Sequence, residues 1–525
     1  MTQDPRRKVL LIGIDSAEPA LLLDWAQRGV LPHIKRLLER GTWCEATAPR
    51  GFGNGVVWPS LHTGVGPGTH GRYYLRQLQP GSYDIVEFQE DTGLCRAPFW
   101  KPISDAGKRV AVIDMVRAPL VEGLNGVQIA DWLTHDATGH ARSWPPALMN
   151  EIVARLGADP LQGNADTFAG SGHKLLQLRD ALCQRIATKT QLTREYLQQG
   201  TYDLLVSVYA EPHDIGHLCW HLHDSQHVDH DPGFAKRHGD PLQDVYIALD
   251  NAIGELLAEL DEHTTVLLFS GPGMGPDYTG NFVLDAILRR LEGLETTRPP
   301  GVREAFKSLY NKLLPFHVRR NLQKQRTQHR AAADASARSQ RRFFQLPHNQ
   351  NAGAIRINLE GREPNGRVSR RDYDAVCDEL IRELQQVVNV DTGEPIVEEV
   401  VKVHATCHGP ALERLPDLLA IWNRPAPIVT VASPRIGRIS KPYSVIRTGD
   451  HTPHCIVMLS GPGITTNQPV SAIAVEAIAP TVAQILGVTL PAGDAPSRLA
   501  SFQMQSHAQP ARVVSQVPLA DQLPV

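Results

Sequence analysis

The sequence predicts an α/β protein with a mostly parallel sheet and helices on both of its faces. Lys8-Val-Leu-Leu-Ile-Gly-Ile-Asp15 is a continuous apolar run ending in a carboxylate, the pattern of a strand buried on both faces of a parallel sheet. Comparable runs recur at 109–114, 202–209, 264–270 and 418–422. Stretches of helical period separate them, and alternation of this kind implies a doubly wound sheet.

Each element has its own signal. Residues 21–40 carry helical periodicity, interrupted by Gly29 and Pro32 and ended by Gly41. A glycine-rich approach, Arg50-Gly-Phe-Gly-Asn54-Gly, leads into a helix expected to start near Val56, with Asn54 at its cap. Further helices are expected over 175–199 and 245–260. Between them, the run ending at Tyr209 breaks into Glu211-Pro-His213-Asp-Ile-Gly-His217. That places His and Asp side chains at the carboxyl end of a strand, where open α/β sheets hold their ligands.

With 525 residues the chain exceeds the size of one simple core. The expected division is a first core part over 1–297, a basic helical insertion over 298–345, a second core part with cap-like elements over 346–490, and a disordered tail over 491–525. The insertion holds Lys307, Lys312, Arg319, Arg320, Lys324, Arg326, Arg330, Arg338, Arg341 and Arg342. It reads as a solvated segment or as an electropositive rim for an anionic substrate. After Pro491 the chain is rich in Pro, Ser, Gln and Ala.

Composition narrows the function. A hydrophobic fraction of 42% and a charged fraction of 21% are those of a globular protein. A formal net charge of -3 argues against a general binder of nucleic-acid polymers. Seven cysteines are scattered with no CxxC pair, which suits free thiols in a reducing compartment. No signal-peptide pattern follows Arg6-Arg-Lys8, and no run reaches transmembrane length. A cytoplasmic protein without a membrane segment is expected.

The residues that can carry chemistry are Asp15, Asn54 and the histidines. Asp15 past a buried strand must bind a metal, cap the helix near Pro19 or form a salt bridge. His213, His217 and His221 stand at helical spacing, and Asp214 competes with His213 as a ligand if the strand end shifts by one residue. His451, with His454 as competitor, lies far along the chain. The helix after Asn54 offers free N–H groups and a partial positive charge to an anion, and Arg72 and Arg76 are either anion contacts or surface residues.

These pieces, in this order, resemble the alkaline phosphatase superfamily, and within it the type I phosphodiesterase/nucleotide pyrophosphatase branch. The resemblance rests on the Asp15 strand, Trp58…Thr63-Gly64…Pro67-Gly-Thr-His70-Gly71, Glu211-Pro…Gly216-His217 and Ser270…Gly273-Met-Gly275. It continues through Arg447-Thr-Gly-Asp-His451, Ser460-Gly-Pro-Gly-Ile464, and Ala479-Pro-Thr481 with Leu486-Gly487. It implies an alkaline phosphatase-like fold with an inserted cap region and, in typical members, two zinc ions about 4 Å apart. One metal would be held at positions matching Asp15, Asn54, Gly271 and Pro272, of which only Asp15 keeps a ligand type. The other matches His213, His217 and His451, a three-imidazole set able to hold zinc. The resemblance therefore implies a metal-dependent hydrolase or transferase acting on a phosphoester, phosphodiester or related small anionic group. One zinc would be retained, a second would lack ligands, and no Ser or Thr stands at the nucleophile position. The alternative is a catalytically inactive member that binds an anionic ligand.

Overall fold

The computed structural model describes residues 7–135, 140–162, 164–294, 334–441, 446–466 and 469–503. A nine-stranded sheet forms its centre, in the order Ile473–Ala474, Thr42–Thr47, Cys455–Ser460, Thr264–Ser270, Lys8–Ile14, Leu204–Tyr209, Val110–Ile113, Gly126–Ala130, Arg142–Trp144. The five strands from Thr264–Ser270 to Gly126–Ala130 run parallel to one another. Cys455–Ser460 and Arg142–Trp144 pair antiparallel to this block.

The period-2 alternation of a strand explains why the sheet is apolar on both sides. Leu10, Ile12 and Ile14 enter one buried cluster with Trp25, Leu182 and Leu249, while Val9 and Leu11 enter the opposite one with Trp58, Trp100 and Ile478. The long helices Gly172–Gln198 and Pro241–Ala258 bury residues in the first cluster. The expected 21–40 helix is two, Pro19–Gln27 and Pro32–Arg40, each opened by a proline in its first turn.

One expected strand belongs elsewhere. Leu418–Trp422 joins a separate four-stranded antiparallel sheet in the order Phe343–Leu346, Ala352–Ile357, Leu418–Trp422, Val397–Lys402. The apolar run is real, but a short apolar run does not say which sheet it joins. This smaller unit has its own core around Ile287, Ile355, Leu380 and Leu418. It meets the large sheet through a cluster joining Phe52, Val56 and Tyr73 to Phe344, Leu346 and Leu419.

Most of the basic helical insertion expected over 298–345 lies outside the described residues. Of its last arginines, Arg341 is buried and paired with Asp285 and Glu292, so it serves packing rather than a rim. Of the expected tail, residues 491–503 are described; most of them are exposed, while Leu499 and Phe502 are buried in the core beside Ile478 and Val482. The polar composition there hid two well-spaced apolar anchors. Among the described residues, no helix is long and apolar enough to cross a membrane.

Candidate metal centre

The carboxyl edge of the parallel strands gathers the chemistry. Asp15 follows the first strand, Asp114 and Asp131 follow Val110–Ile113 and Gly126–Ala130, and the helix Glu211–His223 starts just after Tyr209. Three residues at this edge hold a left-handed backbone without being glycine: Ser16 (φ 62°), Asp114 (φ 52°) and Asp131 (φ 59°). Such conformations cost energy and concentrate at functional rims.

His213 and His217 stand one turn apart on the Glu211–His223 helix. His451 arrives on the short strand Gly449–His451, which pairs antiparallel with Met274–Pro276 so that His451 faces Met274. All three are buried, and each can direct a ligand atom to a common point. Two Nδ1 atoms meet acceptors, His217 at the Gly449 carbonyl at 2.6 Å and His451 at Ser16 Oγ at 3.2 Å, while His213 Nδ1 lies 3.5 Å from Asp214 Oδ1, too far for a well-formed hydrogen bond. At His217 and His451 these acceptors fix the tautomer that leaves Nε2 for a metal. His213 Nε2 and His217 Nε2 approach to 3.2 Å, close to the roughly 3.3 Å that two tetrahedral ligands with bonds of about 2.0–2.1 Å would have. Burial, with Arg447 and the neighbouring imidazoles, holds His217 well below the usual histidine range, and burial likewise lowers His451. Neutral imidazole is the ligating form. This donor set fits a transition metal.

Asp214 is placed differently from His213. Its Oδ2 takes Arg185 Nη1 at 3.0 Å, and Arg185 also clamps Asp159 through two 2.6 Å bonds. His221 bonds Thr448 Oγ1, and His454 is exposed, so neither joins the three. Asn54 is the first residue of the helix Asn54–Thr63, and Gly53 holds the cap position that the sequence suggested for Asn54.

Asp15 stands beside the three imidazoles inside a shell of donors. Trp58 Nε1 donates to Oδ1 at 2.8 Å and Ser16 Oγ to the same oxygen at 3.2 Å. His135 Nε2 meets Oδ2 at 2.6 Å, and Asn54 Nδ2 donates to it at 3.3 Å. The cap of the helix near Pro19 is Glu18, not Asp15. Burial alone would raise the Asp15 carboxyl, but His135, then His213 and His451, hold it well below the usual carboxylate range. Gly13 makes this possible, because a Cβ there would lie 2.9 Å from the Trp58 indole.

His135 is the residue that the sequence reading missed. It lies close enough to Asp15 and His213 for the three to form a second group of possible metal ligands, and its ring stacks on His213 at 3.7 Å between centroids. The signal was present: Gly126-Val-Gln-Ile-Ala130 breaks into Asp131-Trp-Leu-Thr-His135, as the later strand breaks into His213. Gln128 obscured it, because its buried amide serves the neighbouring loop through Val121 N and Pro119 O. The loop carrying His135 is held from below. Asp114 accepts the Trp132 and Leu133 amides, Lys189 Nζ donates to the Leu133 carbonyl, and Arg185 to the Thr134 carbonyl.

A cavity of about 330 Å³ opens onto these residues. Its wall includes Asn54, Arg72, Tyr74, Arg117 and Arg447, with Asn349 and Gln350 contributed from the smaller unit. Arg72 is fully buried, paired with Glu90 and bonded to the Gly55 carbonyl, with its Nη2 lacking a partner. Arg76 is exposed on the strand Arg76–Leu78. Another cavity, of about 230 Å³, lies in the smaller unit around Arg362 and Tyr373 and shares no residue with the histidine cluster.

The model of the type I phosphodiesterase / nucleotide pyrophosphatase family matches residues 9–442. No curated protein matches the chain in sequence. Among solved structures, phosphonoacetate hydrolase from Sinorhizobium meliloti 1021 in complex with phosphonoformate is 15% identical, with a TM-score of 0.52 over 92% of this chain and 96% of that one. The same enzyme in complex with phosphonoacetate gives 14% identity and a TM-score of 0.51, over 92% and 96%. This likeness is one of fold, the alkaline phosphatase-like α/β architecture.

Proposed function

The chain belongs to the type I phosphodiesterase / nucleotide pyrophosphatase family, and on that footing we propose that it hydrolyses a small phosphate diester or related anionic ester by direct attack of water, using one zinc ion held by His213, His217 and His451. Family membership supports the coarser statement, a hydrolase of phosphoesters. The observation that carries the finer one is the triple imidazole cluster, whose ligand atoms lie within 4.8 Å of one another, with Nδ1 of His217 and His451 turned to protein acceptors. A metal at such a donor set supplies a Lewis acid for a phosphoryl oxygen and lowers the pKa of a water. In this reading Asp15 is an acceptor that fixes its neighbours, not a ligand.

The chain's own residues do the rest. Asn54, at the start of the Asn54–Thr63 helix, offers a carboxamide where the family resemblance expects a hydroxyl, so it holds the substrate and accepts no phosphoryl group. Ser60 is no substitute, since its hydroxyl is buried against His70 Nε2 at 3.1 Å. Arg72, Arg117 and Arg447 on the cavity wall oppose the negative charge of the ester. A cavity of about 330 Å³ suits a compact substrate.

Bis-nitrophenyl phosphate tests the reading, having a good leaving group and needing little specific recognition. Slow, metal-dependent turnover is expected, with no burst of nitrophenol and no trapped phosphoenzyme. A covalent phosphoryl intermediate would contradict direct water attack. Absence of turnover on phosphate mono- and diesters by metal-loaded protein that still binds phosphate would favour an anion-binding member instead. The setting proposed is cytoplasmic, supported by seven free cysteines, five of them buried. Seven titratable thiols in unfolded protein taken directly from cells are expected, and disulfides there would contradict it.

A further inference from the structure

The smaller unit closes one side of the cavity with carboxamides, and their orientation follows from a donor that has no alternative. Trp422 is buried with its ring against Gly280 and Gly353, where a Cβ would lie 2.8 Å and 2.6 Å from the indole. Its N–H can only donate, and it meets Asn281 Oδ1 at 3.1 Å. Nδ2 is thereby the donor of the Asn281 side chain, and it bonds the Asn349 carbonyl at 3.0 Å and Gln350 Oε1 at 3.1 Å. The Gln350 backbone is pinned as well, since Thr279 Oγ1 donates to its carbonyl at 2.8 Å. With Oε1 committed to Asn281, what Gln350 offers to a ligand is the pair of N–H groups on Nε2. Gln350 is exposed and lines the same cavity as Asn54 and the three imidazoles. Asn349 beside it turns its Oδ1 to the Gly55 amide at 3.4 Å, which ties this segment to the start of the Asn54–Thr63 helix.

The wall around Gln350 is polar. Ligand cavities are ordinarily lined mostly by apolar side chains, but among the described residues lining this one Leu75 is the only aliphatic side chain. An apolar alcohol would gain little here, and by covering Gln350 it would strip water from the Nε2 donors without replacing it. An alcohol with an oxygen in reach gives those donors a partner. We infer that Gln350 sets the substrate class: its Nε2 donates to an oxygen on the alcohol part of the ester, so the substrate is a small phosphate ester whose alcohol carries a second oxygen close to the ester bond. The fixed amide makes the selection one-sided. Gln350 cannot turn its oxygen to the ligand without leaving the Asn281 donor unmatched, so it selects acceptors.

This role of Gln350 rests on the hydrolase reading above, and two readouts keep their failures apart. Nitrophenol release is followed from 2-methoxyethyl nitrophenyl phosphate and butyl nitrophenyl phosphate, which match in length and differ by one ether oxygen, an acceptor without a donor. The parent protein should prefer the methoxyethyl ester by about 5-fold in kcat/KM. Gln350→Glu keeps an acceptor for Asn281 but turns a carboxylate oxygen to the ligand, and Gln350→Met removes donor and acceptor together. In both variants the ratio between the two esters should fall below about 2-fold, with the melting curve of the parent. A parent ratio of about one, or a parent ratio kept in either variant, would overturn the role of Gln350, while turnover itself upholds the hydrolase reading. Binding by calorimetry is the second readout: 2-methoxyethyl phosphate should bind the parent about 5-fold more tightly than butyl phosphate, and Gln350→Met should erase the difference. That binding result without turnover of either ester would overturn the hydrolase reading and leave Gln350 as the selector of an anion-binding member. Equal binding of the two phosphates would overturn the role of Gln350 whether or not the esters turn over.

Discussion

Trp58 shows how one residue links fold to chemistry. Its ring sits in the core beneath the sheet edge, edge-on to Phe269, and its N–H reaches Asp15 at 2.8 Å. Trp58→Phe keeps most of the apolar body and removes a donor to a fully buried carboxylate. The expected loss is about 1–3 kcal/mol of unfolding free energy, read by urea denaturation with an unchanged slope. A loss well under 1 kcal/mol would mean that Asp15 does not depend on this bond. The sequence made Asp15, Asn54, His213, His217 and His451 visible, because each follows an apolar run or matches a family motif. His135 was hidden by its short strand, and the difference between His213 and Asp214 by a contact 29 residues away: Arg185 draws the Asp214 side chain to itself. Such choices are settled by tertiary partners that local sequence does not contain.

At the scale of elements, the turn after the Asn54–Thr63 helix leans on Glu476, in the short turn Val475–Ala477. Its carboxyl lies 3.3 Å from where a Cβ on Gly66 would be, and Asp494 bonds the Gly66 amide nearby. Burial pushes the Glu476 carboxyl up to about 7 from an ordinary 4.5, with Asp494 adding repulsion. The folded chain then binds more protons than the unfolded chain between those two values. Stability should therefore fall as pH rises through that window, by up to about 3 kcal/mol from this group, and level off above it. Glu476→Gln should flatten that part of the curve, measured by denaturation at pH 5, 6, 7 and 8. An unchanged slope in the variant would place the proton elsewhere. Strand runs such as 264–270 were legible because burial on both faces leaves a nearly pure apolar signature. The smaller unit was harder to assign, since the Leu418–Trp422 run looks like a strand of the large sheet and pairs instead with Ala352–Ile357 and Val397–Lys402.

At the scale of the whole molecule, the chain closes on itself late. Leu499 and Phe502 enter the cluster that also holds Val9, Leu11 and Trp58, so a segment some 500 residues from the first strand completes one face of the sheet. Thr465 fastens it through the Phe502 carbonyl at 2.9 Å. Phe502→Ala should cost about 3–5 kcal/mol, seen as a lower denaturation midpoint, and a change below 1 kcal/mol would show that this segment does not stabilise the core.

The central claim, one metal on three imidazoles with Asp15 outside the ligand set, is tested most directly by metal content per chain. Elemental analysis of the purified protein, His217→Ala and Asp15→Asn decides it. About one equivalent of zinc is expected in the parent protein, little or none in His217→Ala, and the parent value in Asp15→Asn. Two equivalents in the parent protein, or loss of metal from Asp15→Asn, would contradict it.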